Sequence, residues 1–163
     1  MTDNIYIIDT SSLIRLNKEN PLDVFPSVWK RLEDLVKSDR LIAPREVFDE
    51  IVQLDDQLKV WAKTQKKMFK EPTESQTKLV KDILSKYPSI IKVDKLYSAD
   101  PWVIALTLEI ANNPQQTLMT IKRIVVTEER LRGNHITIPF VCNQYGIDTI
   151  DIVEMFRTEG WKF

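Results

Sequence analysis

Apolar positions along this chain follow two patterns, short continuous runs and repeats with a spacing of three or four residues. Short runs at residues 4–8, 41–43, 123–127 and 147–150 predict buried β-strands. Helical repeats cover residues 25–38, 44–54, 55–70, 73–87, 98–113, 138–146 and 151–160, and a further helix is expected to begin near Ser11 or Ser12. The order β-α-α-β-α-α-α-α-β-α-β-α predicts an α/β fold in which helices wrap a mainly parallel sheet.

Residues with special roles at helix ends support several of these boundaries. Pro44 suits the first turn of a helix, where its missing N–H costs nothing, and Thr73 is predicted to be an N-cap. The helix at 98–113 is expected to be capped by Ser98 or by Asp100. Gly146 is predicted to end the helix that begins at residue 138.

Length and composition indicate an ordinary globular chain. With 163 residues and 43% hydrophobic content, it can bury a substantial core, and we expect one domain over residues 1–163. The single cysteine, Cys142, excludes an internal disulfide and is expected to be a small core residue. Without a basic and apolar leader, or an apolar run near the roughly 20 residues that span a bilayer, the sequence predicts a cytoplasmic protein with no membrane partner.

The scarcity of glycine, histidine and cysteine excludes several classes of site. The three glycines, Gly133, Gly146 and Gly160, are far apart, whereas phosphate-binding and dinucleotide-binding loops need clustered glycines. A single histidine, His135, and a single cysteine cannot build an imidazole or thiolate zinc site. Any metal must therefore be held by oxygen, which favours Mg²⁺ or Mn²⁺.

Acidic residues recur where predicted strands end or helices begin. Asp9 ends the first strand, Asp100 opens a helix, Glu128 and Glu129 follow the strand at 123–127, and Glu50 lies on the helix at 44–54. Open α/β sheets bind ligands at the carboxyl ends of their strands. Two divalent ions held about 4 Å apart by shared carboxylates activate water and neutralise a phosphodiester. Together, the acids suggest a metal site for phosphodiester hydrolysis.

Each acid taken alone also has a purely structural interpretation. Asp9 and Asp100 could simply cap the helices that follow them. Glu50, in a stretch with other acids, could be a solvated helix residue, and Glu128 and Glu129 could be ordinary loop acids. The hypothesis of a metal site therefore depends on their joint placement.

Four segments resemble, in chain order, the successive acidic motifs of PIN domains, a family of small metal-dependent ribonucleases: IYIIDTSSLI, EVFDEI, SADPWVIALTLE and IVVTEE. With the terminal segment IPFVCNQYGIDTIDIVEMF, the chain looks closest to an uncharacterised bacterial PIN-like family related to toxins of toxin–antitoxin pairs. The resemblance implies a PIN-like three-layer α/β/α fold with a mainly parallel central sheet. It also implies Mg²⁺- or Mn²⁺-dependent endoribonuclease activity, RNA as substrate, and a cognate antitoxin and a homodimer as possible partners.

The same resemblance assigns catalytic and metal-binding roles to four acids: Asp9, Glu50, Asp100 and Glu129. The family more often has aspartate at the position of Glu129, and the longer glutamate leaves Glu128 as an alternative fourth acid. Ser11 would support the first aspartate, and Thr127 begins the fourth motif. Phe140 stands where a polar residue is expected, a change that would alter the rim of the cavity.

Two groups of basic residues are candidates for binding RNA. Lysines spaced by three and four residues predict one basic helix face: Lys59, Lys63, Lys66, Lys67 and Lys70. This face is either a phosphate-binding surface beside the acids or an ordinary solvated surface. A second cluster surrounds the fourth acidic motif: Lys122, Arg123, Arg130 and Arg132. His135 is expected to be an exposed loop residue, and Trp29, Trp61 and Trp102 are expected to pack in the core.

Other functions compete with a nuclease. An aspartate-nucleophile phosphatase also begins with a strand ending in Asp, but it needs a second Asp two residues later, where this chain has Ser11. A receiver-like phosphoacceptor domain would want more acids near the first strand and a late lysine. The remaining alternative is a non-catalytic PIN-like module that binds RNA or protein, and the fold alone would not distinguish it from a nuclease.

Overall fold

Five parallel strands form the central sheet in a computed structural model that describes residues 3–91, 98–112 and 121–163. The strands are β1 (Ile5–Ile8), β2 (Leu41–Pro44), β3 (Phe69–Lys70), β4 (Arg123–Val126) and β5 (Asp148–Ile150). Their order across the sheet is β3-β2-β1-β4-β5. Since the strands are parallel, they all end at one edge, here called the carboxyl edge, and begin at the opposite amino edge.

The first strand lies at the centre of the sheet because its sequence suits burial on both faces. Tyr6, Ile7 and Ile8 are fully buried. Ile7 pairs with Ile42 of β2 on one side and with Val125 of β4 on the other. A continuous β-branched and apolar run is typical of a parallel strand covered by helices on both faces.

Eight helices surround this sheet in the described part of the chain. They are α1 (Thr10–Glu19), α2 (Pro26–Lys37), α3 (Arg45–Leu54), α4 (Asp56–Thr64), α5 (Glu74–Lys86), α6 (Asp100–Ala111), α7 (Ile138–Gln144) and α8 (Ile152–Glu159). The most apolar is α6, which contacts β1, β2 and β4 on one side and α5 on another. A helix that is apolar nearly all round is a buried core helix.

The predicted helix over residues 55–70 is wrong in its second half. Helix α4 ends at Thr64, a 3₁₀ turn follows at Lys66–Met68, and the chain then pairs with β2 as β3. Met68 is fully buried, and the Phe69 ring packs edge-on against Phe48 at 5.3 Å. These tertiary contacts outweigh the helical spacing of the lysines.

Several helix ends also differ from their predictions. Thr73 is the N-cap of α5, as predicted, and accepts a hydrogen bond from the Gln76 N–H. Pro44 instead belongs to β2 and precedes α3, and the residue before α6 is Ala99, which has no side chain that could cap. Helix α7 ends at Gln144, and Gly146 terminates it as predicted, with a left-handed φ of +71° and the Ile147 N–H donating to the Cys142 carbonyl at 2.9 Å.

Two tryptophans pack against each other in the core. Trp29 and Trp61 are buried with ring centroids 5.0 Å apart, so their predicted packing role is confirmed. None of the helices formed by the described residues combines the length and apolar character that crossing a membrane requires.

Candidate functional site

Four acidic side chains line one cavity of about 180 Å³ at the carboxyl edge: Asp9, Glu50, Asp100 and Glu129. They come from the end of β1, from α3, from the start of α6 and from the segment after β4. The relative exposure is 3% for Asp9, 4% for Glu50 and 3% for Asp100. Such burial is rare for carboxylates, and it rules out a solvated surface position for Glu50.

Asp9 is both a helix cap and a wall of the cavity. Its Oδ1 accepts a hydrogen bond from the Thr10 N–H at 2.8 Å at the start of α1. Its Oδ2 accepts from the Ser11 hydroxyl at 2.7 Å and from the Thr127 hydroxyl at 3.0 Å. Ser11 and Thr127 therefore hold the Asp9 carboxylate in one orientation between α1 and β4.

Glu50 reaches the cavity from α3 and connects two other helices. Its Oε1 accepts from the Thr10 hydroxyl at 2.6 Å, and its Oε2 accepts from the Ala99 N–H at 3.3 Å. Asp100 follows Ala99 as the first residue of α6, where the N-terminal end of the helix dipole favours negative charge. Thr10 and the α6 N-terminus thus bring Glu50 next to Asp9 and Asp100.

The side chains of the adjacent residues Glu128 and Glu129 point in different directions. Glu128 Oε1 forms an ion pair with Arg15 at 2.6 Å, while its Oε2 accepts from the Ser12 hydroxyl at 2.6 Å and the Ile152 N–H at 3.1 Å. Glu129 instead lines the acidic cavity, and the Ile138 N–H at 3.5 Å is a long contact for its Oε1. The geometry therefore places Glu129, and not Glu128, beside the other three acids.

The surroundings of Asp9 raise its proton affinity. Burial raises the pKa of Asp9 from 3.8 to about 6, and the charges of Glu129 and Glu50 add to this, against the opposing hydrogen bonds from Ser11 and Thr127. The pKa of the buried Cys142 thiol is also raised, by burial and then by Asp9 and Glu129. The cavity is therefore strongly negative, and Cys142 stays a neutral core thiol rather than a nucleophile.

The donor chemistry of this cavity fits a hard divalent cation. All four acids offer carboxylate oxygens, which Mg²⁺ and Mn²⁺ prefer, and a cation would relieve their mutual repulsion. Within the ranges that the structure describes, however, no three carboxylate, imidazole or thiolate side chains are grouped as a formed ion site. Protein donors occupy Asp9 and Glu50 instead, so binding an ion requires some of these hydrogen bonds to be exchanged for ion contacts.

The predicted row of lysines does not lie on one helix face beside the acids. Lys59 and Lys63 belong to α4, Lys66 and Lys67 to the 3₁₀ turn, and Lys70 to β3. The Lys67 ammonium donates to the Lys37 carbonyl and lies 3.4 Å from Asp39, just before β2. The Lys67 side chain therefore lies at the amino edge, across the sheet from the acidic cavity. The row of lysines is broken because α4 ends at Thr64, before Lys66, Lys67 and Lys70.

The second basic cluster is also divided by the sheet. Lys122 and Arg123 lie at the start of β4, whereas Arg130 and Arg132 follow its end. The strand β4, four residues and about 13 Å long, lies between the two pairs. Only Arg130 and Arg132 share a cavity with Glu129, and His135, which is exposed as expected, lies in the same cavity.

Sequence reasoning missed three residues that hold the acids in place: Thr10, Ser12 and Arg15. Thr10 binds Glu50, while Ser12 and Arg15 bind Glu128. Ser12 and Arg15 stand three residues apart, which puts them on one side of α1, and that spacing was the available signal. Phe140 does not line the acidic cavity and packs against Tyr87, with ring centroids 6.2 Å apart.

Comparisons with known proteins give a family and a fold. A family model described as "Domain of unknown function (DUF4411)" matches residues 6–163. No curated protein matches the sequence. The 2.2 Å structure of VapBC-1 from nontypeable Haemophilus influenzae is similar with a TM-score of 0.54 and 14% identity, over 90% of this chain and 97% of that chain. The predicted PIN-like α/β fold with a parallel central sheet is confirmed at the level of fold.

The raised pKa of Asp9 makes stability depend on pH in a defined direction. The Asp9 carboxyl group binds its proton more tightly in the folded protein than in the unfolded chain. The free energy of unfolding therefore falls as the pH rises from 3.8 through about 6 and this proton is lost. Relative to Asp9→Asn, we expect wild type to lose about 2 kcal/mol between pH 4 and pH 7. Urea unfolding across this range measures the difference, and Mg²⁺ at pH 7 should stabilise wild type more than the variant.

Asp82→Asn is a control of opposite sign, because Tyr145 and Lys86 lower the pKa of Asp82. Its contribution to stability is present above its unfolded pKa and is lost as the pH falls. Parallel stability curves for wild type and Asp9→Asn would contradict the geometry described for Asp9.

The divergence of Glu128 and Glu129 predicts two different phenotypes. Glu128→Gln removes the charge that Arg15, Ser12 and the Ile152 N–H share, and should lower the free energy of unfolding by about 1–3 kcal/mol. Glu129→Gln should leave stability nearly unchanged and weaken Mn²⁺ binding in calorimetric titration.

Glu19→Gln is the matched control for Glu128→Gln. Glu19 is the other carboxylate on Arg15, but its side chain is 51% exposed, so its loss should cost less than about 1 kcal/mol. Weaker Mn²⁺ binding in Glu128→Gln, with Glu129→Gln unaffected, would reverse the assignment of the two glutamates.

Proposed function

This chain belongs to the family described as Domain of unknown function (DUF4411), and we propose that it is a metal-dependent endoribonuclease that hydrolyses RNA phosphodiester bonds. The observation that carries the proposal is the convergence of four carboxylates from four separate elements on one cavity. Burying three of them costs stability, and no structural task needs them all in one place. A cation-binding site, in contrast, does need several carboxylates around one cavity.

Asp9, Glu50, Asp100 and Glu129 would hold Mg²⁺ or Mn²⁺ in this function. When bound, such ions lower the pKa of water and neutralise charge on a phosphate. The chain's own donors orient the carboxylates: Ser11 and Thr127 fix Asp9, and Thr10 fixes Glu50. Thr127 is itself positioned by β4, so the sheet determines the spacing of the acids.

Two features support RNA as the substrate. The acidic segments resemble those of PIN ribonucleases, and the PIN-like fold is shared with VapBC-1. In addition, Arg130 and Arg132 follow directly on Glu129 and supply positive charge next to the acids. By the same resemblance, we propose an antitoxin partner that covers the site, and a homodimer.

A non-catalytic PIN-like binding module is the second candidate. It is favoured by the hydrogen bonds that already satisfy Asp9 and Glu50, and by the lack of a formed ion cluster among the described residues. In that case the carboxylates would only hold α1, α3 and α6 together. Metal binding distinguishes the two functions, because only the nuclease needs it.

Cleavage of a mixed pool of single-stranded and structured RNA tests the nuclease. We expect cutting by wild type with Mn²⁺ or Mg²⁺ and none with excess chelator. Asp9→Asn and Asp100→Asn each remove one carboxylate charge with little change in volume. Each should slow cutting by more than the roughly 100-fold that loss of an outer partner of a metal site can cost.

Asp34→Asn is the matched control, because Asp34 is 56% exposed on α2 and lies away from the acidic cavity. It should cut at the wild-type rate, and thermal unfolding should show that all the variants are folded. Cutting by Asp9→Asn and Asp100→Asn at the parental rate would refute the assignment of the site. If wild type neither cuts RNA nor binds Mn²⁺, the non-catalytic module is the better account.

A further inference from the structure

A larger cleft of about 690 Å³ adjoins the acidic cavity at Glu129. Its other polar lining side chains are Ser89, Glu128, Arg130, Arg132, His135 and Thr137. Glu129 lines both spaces, so a ligand that reaches the acids can extend into the cleft. The acidic cavity, at about 180 Å³, can take a phosphate group but no complete nucleotide, whereas the cleft has the volume of a typical small-ligand site.

A tight turn brings the basic and polar side chains to this cleft. The His135 N–H donates to the Arg132 carbonyl at 3.0 Å, and Gly133 has a φ of +56°, which glycine adopts without strain. Thr137 then caps α7. The turn therefore presents Arg132 and His135 on a short segment that is fixed at both ends, by β4 and by α7.

The charges of the cleft are suited to a phosphate chain. Arg130 is 70% exposed and lies 3.6 Å from Asp151, a loose ion pair that a phosphate can replace. Arg132 is exposed on the same segment. By contrast, the nearby Arg15 is held by Glu128 and Glu19. Positive charge therefore begins directly where the acidic cavity ends.

We propose that this cleft binds the nucleotide next to the scissile phosphate of a single-stranded RNA. The proposal rests on the endoribonuclease function. Arg130 and Arg132 contact the backbone phosphates, while His135, Ser89 and Thr137 offer hydrogen-bond groups to the base or ribose. A base enters such a cleft only when it is unstacked, and unstacked bases belong to single strands and loops rather than to duplex RNA.

Binding of a fluorescent single-stranded RNA, measured by anisotropy in the presence of EDTA, tests this without any cleavage. Arg130→Gln and Arg132→Gln should each weaken binding several-fold. Each should also reduce the slope of log K against log salt by about 0.7, the value for one lost phosphate contact with a single strand.

Arg31→Gln is the matched control. Arg31 is also an exposed arginine that lines a cavity, but that cavity lies at the amino edge with Arg40 and Ser38. This variant should bind RNA with wild-type affinity and salt slope. An equal loss in Arg31→Gln would mean that overall charge, and not the cleft, holds the RNA.

His135→Ala separates base recognition from phosphate contact. It should weaken binding without changing the salt slope, and it should alter the preference among homopolymers of A, C and U. Duplex RNA of the same length should bind more weakly and respond less to these variants.

Several results would overturn the proposal: unchanged affinity and slope in both arginine variants, equal or stronger binding of duplex RNA, or no measurable binding by wild type. These outcomes are separate from failure of the nuclease. RNA that binds through the cleft but is never cut would refute catalysis alone, while metal-dependent cutting without these arginine effects would refute the cleft alone.

Discussion

The parallel pairing of β1 with β4 is the constraint on which the site depends. Ile8 pairs with Val126, and the Asp9 N–H continues this register by donating to the Val126 carbonyl at 2.8 Å. The residues that follow the two strands are therefore neighbours, which brings the Thr127 hydroxyl to the Asp9 carboxylate. A shift of one residue in either strand would turn these side chains to opposite faces of the sheet and would separate them.

Two opposing requirements meet in the acidic cavity. Its carboxylates must be buried and close together in order to attract a cation, yet burial and mutual repulsion both disfavour their charged forms, as the raised pKa of Asp9 indicates. The hydroxyls of Thr10, Ser11 and Thr127 offset part of this cost, because they donate to the ionised oxygens. Hydroxyls can also rotate away when a stronger electrostatic partner arrives, which a backbone N–H or an arginine cannot do as easily.

Local pattern was enough to predict most elements and the positions of the acids. A strand such as β1 is an apolar run, and Asp9 stands directly at its end, so both can be identified from neighbouring residues alone. In contrast, β3 has two residues and exists only because Phe69 and Lys70 pair with β2. The prediction that the lysines share one helix face was wrong for the same reason. Their spacing was helical, but tertiary contacts ended the helix at Thr64. Arg15 and Ser12 bind Glu128 and so leave Glu129 to face the cavity. These contacts could not be predicted from local sequence, because Arg15 and Ser12 are far from Glu128 along the chain.

The division of labour between Glu128 and Glu129 explains how one short segment can serve both stability and chemistry. Glu128 anchors the segment to α1 and to the first N–H of α8, so the backbone at residue 129 has little freedom. Glu129 then lies between the acidic cavity and the cleft that Arg130 and Arg132 line, with Arg130 immediately after it. A change from negative to positive within one residue creates a steep potential across the mouth of the site. A small anion gains little from such a gradient, since the acids repel it. A polyanion gains more, because the phosphates on either side of the one that enters the cavity can bind arginine and offset that repulsion.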